Sequence, residues 1–150
     1  MLIRKVETFT PTHLELLLSA DPNKELVEEY IKRSFCFESL DDGHVTGIVV
    51  LLPTRPETLE IVNIAVLEQF QGQGIGEQLI SFALTQAKEH SYKTVEIGTG
   101  STSFGQLYLY QKCGFRMTGI DRDFFIRHYD EEILENKLVL KDMVRLSIDV

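Results

Sequence analysis

The feature that most constrains the fold is an extended segment followed by a cluster of glycines and an amphipathic helix. Leu59–Val66 is rich in Ile and Val and predicts a strand, whereas apolar residues recur at helical spacing over Ile75–His90. Gly72, Gly74 and Gly76 lie at the junction of these two segments. The first N–H groups of a helix have no internal partner, and the helix dipole adds positive charge there. This stretch therefore predicts an anion-binding turn.

The spacing of the glycines restricts which kind of anion the turn is expected to bind. A Rossmann pattern needs glycine where Glu77 stands, and the Gly-Lys-Ser/Thr run of a P-loop is absent. The pattern that remains is Gln71-x-x-Gly74-x-Gly76. It resembles the acetyl-CoA-binding motif Gln/Arg-x-x-Gly-x-Gly/Ala of the GNAT acetyltransferase superfamily, whose turn wraps the CoA diphosphate. A ligand-free turn is the less favoured alternative, because three glycines in five residues cost backbone entropy.

A second motif supports the same resemblance. Tyr110–Phe115 ends a predicted helix and is similar to the family's Tyr-x-x-x-Gly-Phe signature. The two motifs stand in the family's order and at about its spacing, and the match covers nearly the whole chain. The resemblance implies one domain over residues 1–150 and an α/β (α+β) GNAT fold. That fold has a mixed central sheet of about six or seven strands, helices on both faces and a splay between strands four and five.

Periodicity and turn signals place the elements along the chain, in an order that implies a mixed sheet with helices on both faces. Asp21-Pro22 is interpreted as the N-cap signal of the second helix. Strands are predicted over 2–7, 35–40, 44–52, 59–66, 94–97, 115–120 and within 138–148. Helices are predicted over 10–18, 21–34, 75–90 and 104–113, with a helical turn at 130–135.

The family resemblance implies direct transfer of acetyl from acetyl-CoA to a primary amine of a small molecule or peptide. An alkylammonium must first lose a proton, because its pKa is about 10.4. Glu60 is the candidate base, since E-I-V-N-I-A-V matches the segment where protein-acetylating members carry a glutamate. A solvated glutamate on a strand face is the alternative. Glu96 is the second candidate, followed by Asp121, Asp123 and His128.

Tyr110 is the candidate acid that protonates the departing CoA thiolate. A phenol pKa of about 10 lies above that of a thiol at about 8.5, so the transfer is uphill but feasible. A core role is the alternative, because Leu107 and Tyr110 share a helical stripe. Tyr108 is two residues away and is predicted to lie on the opposite face. The resemblance also implies that the N–H of Val66 stabilises the thioester oxyanion.

The resemblance assigns the acetyl-CoA contacts to the glycine turn, the preceding strand and the start of the next helix. Three residues depart from the family pattern. Gln71 is neutral where the family is often basic, Ser103 stands where asparagine is common, and Glu77 is expected to point to solvent beside the diphosphate. The predicted cofactor-binding residues are Ala65, Val66, Gln71, Gly72, Gln73, Gly74, Ile75, Gly76 and Ser103.

Composition restricts the partners. The formal net charge of −8 argues against nucleic acid and anionic membranes and is compatible with a cationic amine substrate. Cys36 and Cys113 match no metal or redox spacing, which favours a metal-free, reduced, cytoplasmic protein. Assembly as a homodimer stays open. A non-catalytic acetyl-CoA-binding sensor or interaction module is the alternative to an enzyme, and nothing in the sequence identifies the acetyl acceptor.

Overall fold

The computed structural model describes residues 1–150, folded into nine strands and five helices around one central sheet. The strands are β1 Leu2–Lys5, β2 Phe35–Asp41, β3 His44–Arg55, β4 Thr58–Val66, β5 Thr94–Gly100, β6 Arg116–Asp121, β7 Leu134–Glu135, β8 Leu138–Val139 and β9 Met143–Asp149. The helices are α1 Pro11–Ala20, α2 Lys24–Ile31, α3 Ile75–Glu89, α4 Phe104–Lys112 and α5 Phe124–His128. No helix combines the length and the hydropathy needed to cross a membrane.

Seven strands form the central sheet in the order β1-β2-β3-β4-β5-β9-β6, and β7 and β8 form a separate hairpin. Only β4 and β5 are parallel; every other neighbouring pair is antiparallel. A parallel pair needs a crossover, which α3 supplies between β4 and β5. The predicted mixed sheet of six or seven strands is therefore confirmed.

Alternating side chains of β3 supply a hydrophobic core to each face of the sheet. Val49 and Leu51 pack with the apolar stripe of α3 and with Tyr110 of α4. Ile48 and Val50 pack with α1 and α2 on the opposite face. The apolar run Ile48–Leu52 in this strand thus reflects burial on both sides, as the prediction of helices on both faces required.

Two local predictions were wrong. The N-cap of α2 is Asn23, whose side chain accepts a hydrogen bond from the N–H of Leu26; Asp21 ends α1 instead. The helical turn predicted at 130–135 is absent, because Leu134 and Glu135 form β7, and the short helix lies earlier, at Phe124–His128. In both places several polar residues offered competing cap and turn signals, and tertiary contacts decided between them.

A buried polar cluster fixes α1 to the edge of the sheet. The Nδ1 atom of His13 accepts from the N–H of Thr10 at 2.9 Å, so Nε2 carries the proton that it donates to Glu38 Oε1 at 2.7 Å. Arg4 Nε donates to the other carboxylate oxygen of Glu38 at 2.8 Å. This cluster lies away from the glycine turn and is structural.

Candidate active site

The central sheet opens where β4 and β5 separate. Their parallel pairing runs from Thr58↔Thr94 to Ile61↔Ile97 and stops there, although both strands continue. Beyond Ile97, β5 remains paired with β9, while β4 remains paired with β3. The splay predicted between the fourth and fifth strands is therefore present, and it leaves backbone groups on the facing edges without strand partners.

A β-bulge in β4 sets which groups face this gap. Leu51 pairs with Ile61 but Val50 pairs with Asn63, so Val62 is the extra residue. After the bulge, Leu67 donates its N–H to the carbonyl of Thr46. Antiparallel bonding alternates along a strand, so the N–H and C=O groups of Ile64 and Val66 turn away from β3 and towards the gap.

The glycine turn follows directly after β4. Gly72 and Gly74 have φ angles of 79° and 82°, in the left-handed region that glycine adopts without strain. Gly74 is the N-cap of α3 and no side chain caps the helix, so the N–H groups of its first turn are left for a ligand. The turn is thus an anion site made of backbone.

Two side chains beside this turn are engaged within the protein. Gln71 Nε2 donates to the carbonyl of Val66 at 3.0 Å, which leaves the N–H of Val66 as its free backbone group. The side chain of Glu77 is 44% exposed, so it points to solvent as predicted, and it also lies 3.5 Å from Lys112 Nζ. Exposed pairs of this kind contribute little energy, and Lys112 mainly reduces the negative charge of Glu77 beside the turn.

A groove of about 420 Å³ runs along the gap and the turn; we call it the glycine groove. Seven of the nine predicted cofactor-binding residues line it: Ala65, Val66, Gln71, Gly72, Gly74, Ile75 and Gly76. Gln73 is exposed and lies outside the lining. Ser103 is also outside the groove lining, and its hydroxyl donates to Glu135 at 2.5 Å. A contact between Ser103 and the cofactor stays a prediction and would require a change in that hydrogen bond.

A second cavity of about 320 Å³, the inner cavity, adjoins the glycine groove. It is formed by the loop after α1, by β4 and β5 where they separate, and by the segment from 125 to 143. Mostly apolar side chains line it, together with the carboxylates of Asp21 and Glu135. The residues common to the groove and the cavity are Ser19, Ala20, Ile64, Gln106 and Tyr110.

Tyr110 is the aromatic residue at this junction. It is 4% exposed, and its phenol forms no side-chain hydrogen bond within the protein. Burial, with a smaller contribution from the nearby Cys113 thiol, raises the pKa of Tyr110 well above its usual range. The phenol therefore keeps its proton at neutral pH. Tyr108 is 69% exposed, so its predicted position on the opposite face is confirmed.

Glu60 lies apart from this junction. It lines a separate polar cavity with Thr54, Arg55, Glu96 and Arg145, and that cavity shares no lining residue with the other two. Glu60 and Ile64 are four positions apart on β4, a span of about 13 Å in a regular strand. The structure thus does not bring Glu60 and Tyr110 together, and direct contact of Glu60 with a group at the junction is out of reach.

The surroundings of Glu60 nevertheless perturb its titration. Burial raises the pKa of Glu60, the guanidinium of Arg145 at 3.9 Å opposes this rise, and the charge of Glu96 adds to it. The side chain is 20% exposed, so it is not the fully solvated strand residue of the alternative interpretation. A raised pKa is a property that a general base benefits from.

The remaining candidate bases lie outside the inner cavity. Glu96 is ion-paired with Arg55. Asp121 is hydrogen-bonded to Arg127, which holds its pKa below the usual range. Asp123 is the N-cap residue of α5, without a capping hydrogen bond from its side chain, and His128 is exposed at the end of that helix. None of these groups contacts the junction.

Sequence patterns did not identify the residues that complete the site from distant segments. Ser19 and Ala20 at the end of α1 line both the groove and the cavity, and Tyr129 and Glu135 line the cavity. Tyr129 donates to Asp21 at 2.8 Å across 108 residues of sequence. A polar residue in a loop carries no periodic signal, so only the tertiary structure reveals these partners.

Comparison with known proteins identifies the family of this fold and site. The model of the acetyltransferase (GNAT) family matches residues 5–115. A protein of Bacillus subtilis strain 168, uncharacterized N-acetyltransferase YvbK, is 53% identical over 136 residues, covering 91% of this chain and 88% of its own.

Two solved structures are similar over almost the whole chain. A Bacillus subtilis acetyltransferase in complex with CoA is 50% identical, with a TM-score of 0.95 and coverage of 99% of this chain and 97% of its own. A GNAT family acetyltransferase from Elizabethkingia anophelis with acetyl-CoA bound is 44% identical, with the same TM-score and coverage. The chain therefore belongs to the acetyltransferase (GNAT) family and is an acyltransferase.

Proposed function

We propose that this protein transfers an acetyl group from acetyl-CoA directly to a primary amine of a small molecule or a peptide. The observation that carries the proposal is the position of Tyr110. Its phenol keeps its proton and lines a groove with free backbone donors as well as a cavity that a second substrate can enter. Binding of two substrates next to one proton donor is consistent with direct transfer of the acetyl group between them.

The chemistry of the glycine groove fits acetyl-CoA. The N–H groups over Gly72–Gly76 suit the diphosphate, because they are unpaired donors at the N-terminus of α3. The free backbone edge at Ile64 and Val66 suits the amide-bearing pantetheine arm, which can add to it as an extra strand. The similar proteins solved with CoA and acetyl-CoA support this assignment.

Bound acetyl-CoA supplies the acetyl group as a thioester. As the new C–N bond forms and the C–S bond breaks, one proton leaves the amine nitrogen and one is delivered to sulfur. In this proposal the N–H of Val66 donates to the developing oxyanion, and the phenol of Tyr110 donates to sulfur. Because these groups come from a strand and a buried helical residue, they need little reorganisation.

Glu60 is proposed to remove the amine proton through water. The carboxylate is too far along β4 for direct contact with an amine at the junction, but ordered water can connect the two. Burial raises the pKa of Glu60, which brings its basicity closer to that of the ammonium it must deprotonate. The role is thus that of a base acting at a distance.

The proposed function is tested by mixing the protein, acetyl-CoA and a panel of primary amines and measuring free thiol. We expect thiol release with one class of amine, above the rate of acetyl-CoA alone. Acetyl-CoA at about 100 times its Kd should stabilise the fold by about 2.7 kcal/mol in thermal unfolding, and ATP far less. Binding of acetyl-CoA without thiol release from any amine would identify a sensor or interaction module instead.

A further inference from the structure

The inner cavity carries negative charge and no positive charge. Asp21 and Glu135 line it, and its lining includes no Lys, Arg or His. Neither carboxylate forms an ion pair. The guanidinium of Arg145 lies next to the cavity-lining Gly98 without lining the cavity itself, and it is engaged by Glu60 and Asp121. Half-buried carboxylates without a cation attract one from outside, because the low dielectric strengthens the attraction.

A buried acceptor atom beside these carboxylates also lacks a partner. Asn63 lines the inner cavity, is 4% exposed, and has no hydrogen bond to its Oδ1 atom. Its Nδ2 atom donates to the carbonyl of Leu17 at 3.0 Å and to the phenol oxygen of Tyr30 at 2.9 Å, which fixes the orientation of the amide. Buried acceptors are nearly always paired, so Oδ1 is suited to an N–H of the substrate.

The two carboxylates belong to separate networks. The phenol of Tyr30 donates to Asp21 at 3.3 Å, so Asp21 and Asn63 share one partner on the β4 side of the cavity. Glu135 accepts from Thr102 at 3.1 Å and from Ser103 at 2.5 Å, both through Oε1. Its Oε2 atom receives no donor from the protein and is left for a ligand.

These observations favour an acetyl-accepting substrate that carries two positive groups. Resting on the proposed function, we propose that the substrate is a primary amine that carries a second cationic group and no carboxylate. Its reacting nitrogen binds at the end of the cavity that Asp21, Asn63 and Ile64 line, where Asp21 favours its positive charge. The second cation binds Glu135 Oε2. A carboxylate on the substrate would be repelled by the two acids of the cavity.

Apolar side chains suit the part of the substrate between its charges. The lining includes Phe125, Leu140 and Met143, which favour an aliphatic spacer over a polar one. The aromatic faces of Phe125 and Tyr129 can also contact an alkylammonium. The net charge of −8 favours the approach of a cation to the protein as a whole.

The test compares three primary amines of equal chain length in the thiol-release assay: an alkanediamine, an alkylamine and an ω-amino carboxylate. We expect the diamine to have a kcat/KM at least about tenfold above that of the alkylamine, and the amino carboxylate to have the lowest value. Glu135→Gln keeps an acceptor for Thr102 and Ser103 but removes the charge. It should raise KM for the diamine about tenfold and leave kcat for the diamine and KM for the alkylamine unchanged.

The matched control is Glu132→Gln, because Glu132 is exposed in the same segment and does not line the inner cavity. It should leave all three amines unchanged. Equal kcat/KM for the diamine and the alkylamine, or an equal effect of Glu135→Gln on both, would overturn this inference and leave the proposed function intact. Thiol release with none of the amines, although acetyl-CoA binds in calorimetry, would overturn the proposed function itself.

Discussion

The glycine groove and the inner cavity meet at Tyr110 but are built from different parts of the chain. The groove takes most of its lining from one run, residues 64–77, and offers mainly backbone N–H and C=O groups. The inner cavity collects side chains from Leu18 to Met143 and offers two carboxylates within an apolar lining. One site is set by main-chain conformation and the other by side-chain identity.

This difference has a consequence for specificity. Backbone donors do not change when a side chain is replaced, so the ligand of the groove depends on keeping the glycine turn. The ligand of the cavity depends on individual side chains such as Asp21 and Glu135, which can change without disturbing the turn. We therefore expect mutations to separate acetyl-CoA binding from the choice of acceptor.

The largest expected effect comes from placing a charge in the turn. Gly74→Asp should lower acetyl-CoA affinity by more than about 10²-fold in calorimetry, because a carboxylate would stand against the diphosphate. The protein should remain folded. No heavy atom lies within 4 Å of the added Cβ, and aspartate tolerates a φ of 82° better than most residues.

Gly43→Asp is the matched control for the change at Gly74. Gly43 has a φ of 77° and equally open space around its Cβ, but it lies in the β2–β3 hairpin away from the groove. This variant should bind acetyl-CoA normally while carrying the same backbone strain. Equal loss of affinity in the two variants would show that the glycine requirement is a matter of folding rather than of diphosphate binding.

The next largest effect tests the junction of the two sites. Tyr110→Phe should lower turnover about 10²–10³-fold while acetyl-CoA affinity stays unchanged, because the phenol acts on the leaving group. Burial raises the pKa of Tyr110, so the wild-type rate should fall only above the usual phenol range near pH ~10. The variant should lack that high-pH decline, which a pH profile of kcat measures.

Tyr108→Phe is the control for Tyr110→Phe, since Tyr108 is exposed on the same helix and lines neither site. It should match the wild type in rate and pH profile. A normal rate for Tyr110→Phe would mean that water protonates the thiolate and that Tyr110 serves only the hydrophobic core.

The groove could be predicted from the sequence, whereas the cavity could not. The glycine turn and Tyr110 belong to short motifs whose geometry is local, so their spacing is sufficient to place them. Asp21 offered a helix-cap signal, although its side chain accepts from Tyr30 and Tyr129 in the structure. Glu135 lay in a segment predicted to be helical. Contacts across about 100 residues leave no pattern in a single sequence.

Glu60 is a carboxylate outside both sites that we propose takes part in the reaction. Glu60→Gln should lower turnover about 10²-fold, with partial rescue at high pH where free amine and hydroxide are more abundant. Burial raises the pKa of Glu60, so the wild-type rate should also decline as pH falls through that raised pKa. The low-pH decline should disappear in the variant.

Glu96→Gln provides the comparison, since Glu96 lies opposite Glu60 on β5 and is paired with Arg55. We expect nearly wild-type turnover from it. Reduced turnover in Glu96→Gln together with normal turnover in Glu60→Gln would transfer the role of base to Glu96. Normal turnover in both variants would indicate that the amine enters the site already deprotonated.

The smallest expected effects concern stability and contrast Glu60 with the structural carboxylate Glu38. Burial alone would raise the pKa of Glu38, but hydrogen bonds from Arg4 and His13 outweigh it, and its pKa is lowered. The folded state therefore gains stability from the Glu38 carboxylate above its unfolded pKa of about 4.3, and this gain is lost in acid. Glu38→Gln should lower the free energy of unfolding at pH 7 by about 1.5–3 kcal/mol.

Ionisation of Glu60 has the opposite effect on the stability of the folded state. Its pKa is raised in the folded state, so ionisation costs stability as pH rises through that value, and the cost is absent below the unfolded pKa. Glu60→Gln should increase the free energy of unfolding at pH 7 by about 0.5 kcal/mol. In urea unfolding at pH 3 the effect of Glu60→Gln should vanish, and that of Glu38→Gln should shrink progressively as the pH falls below about 4.3. If Glu60→Gln loses as much stability as Glu38→Gln, the ion pair of Glu60 with Arg145 stabilises the fold. The carboxylate of Glu60 would then not be a group that lowers the stability of the folded state.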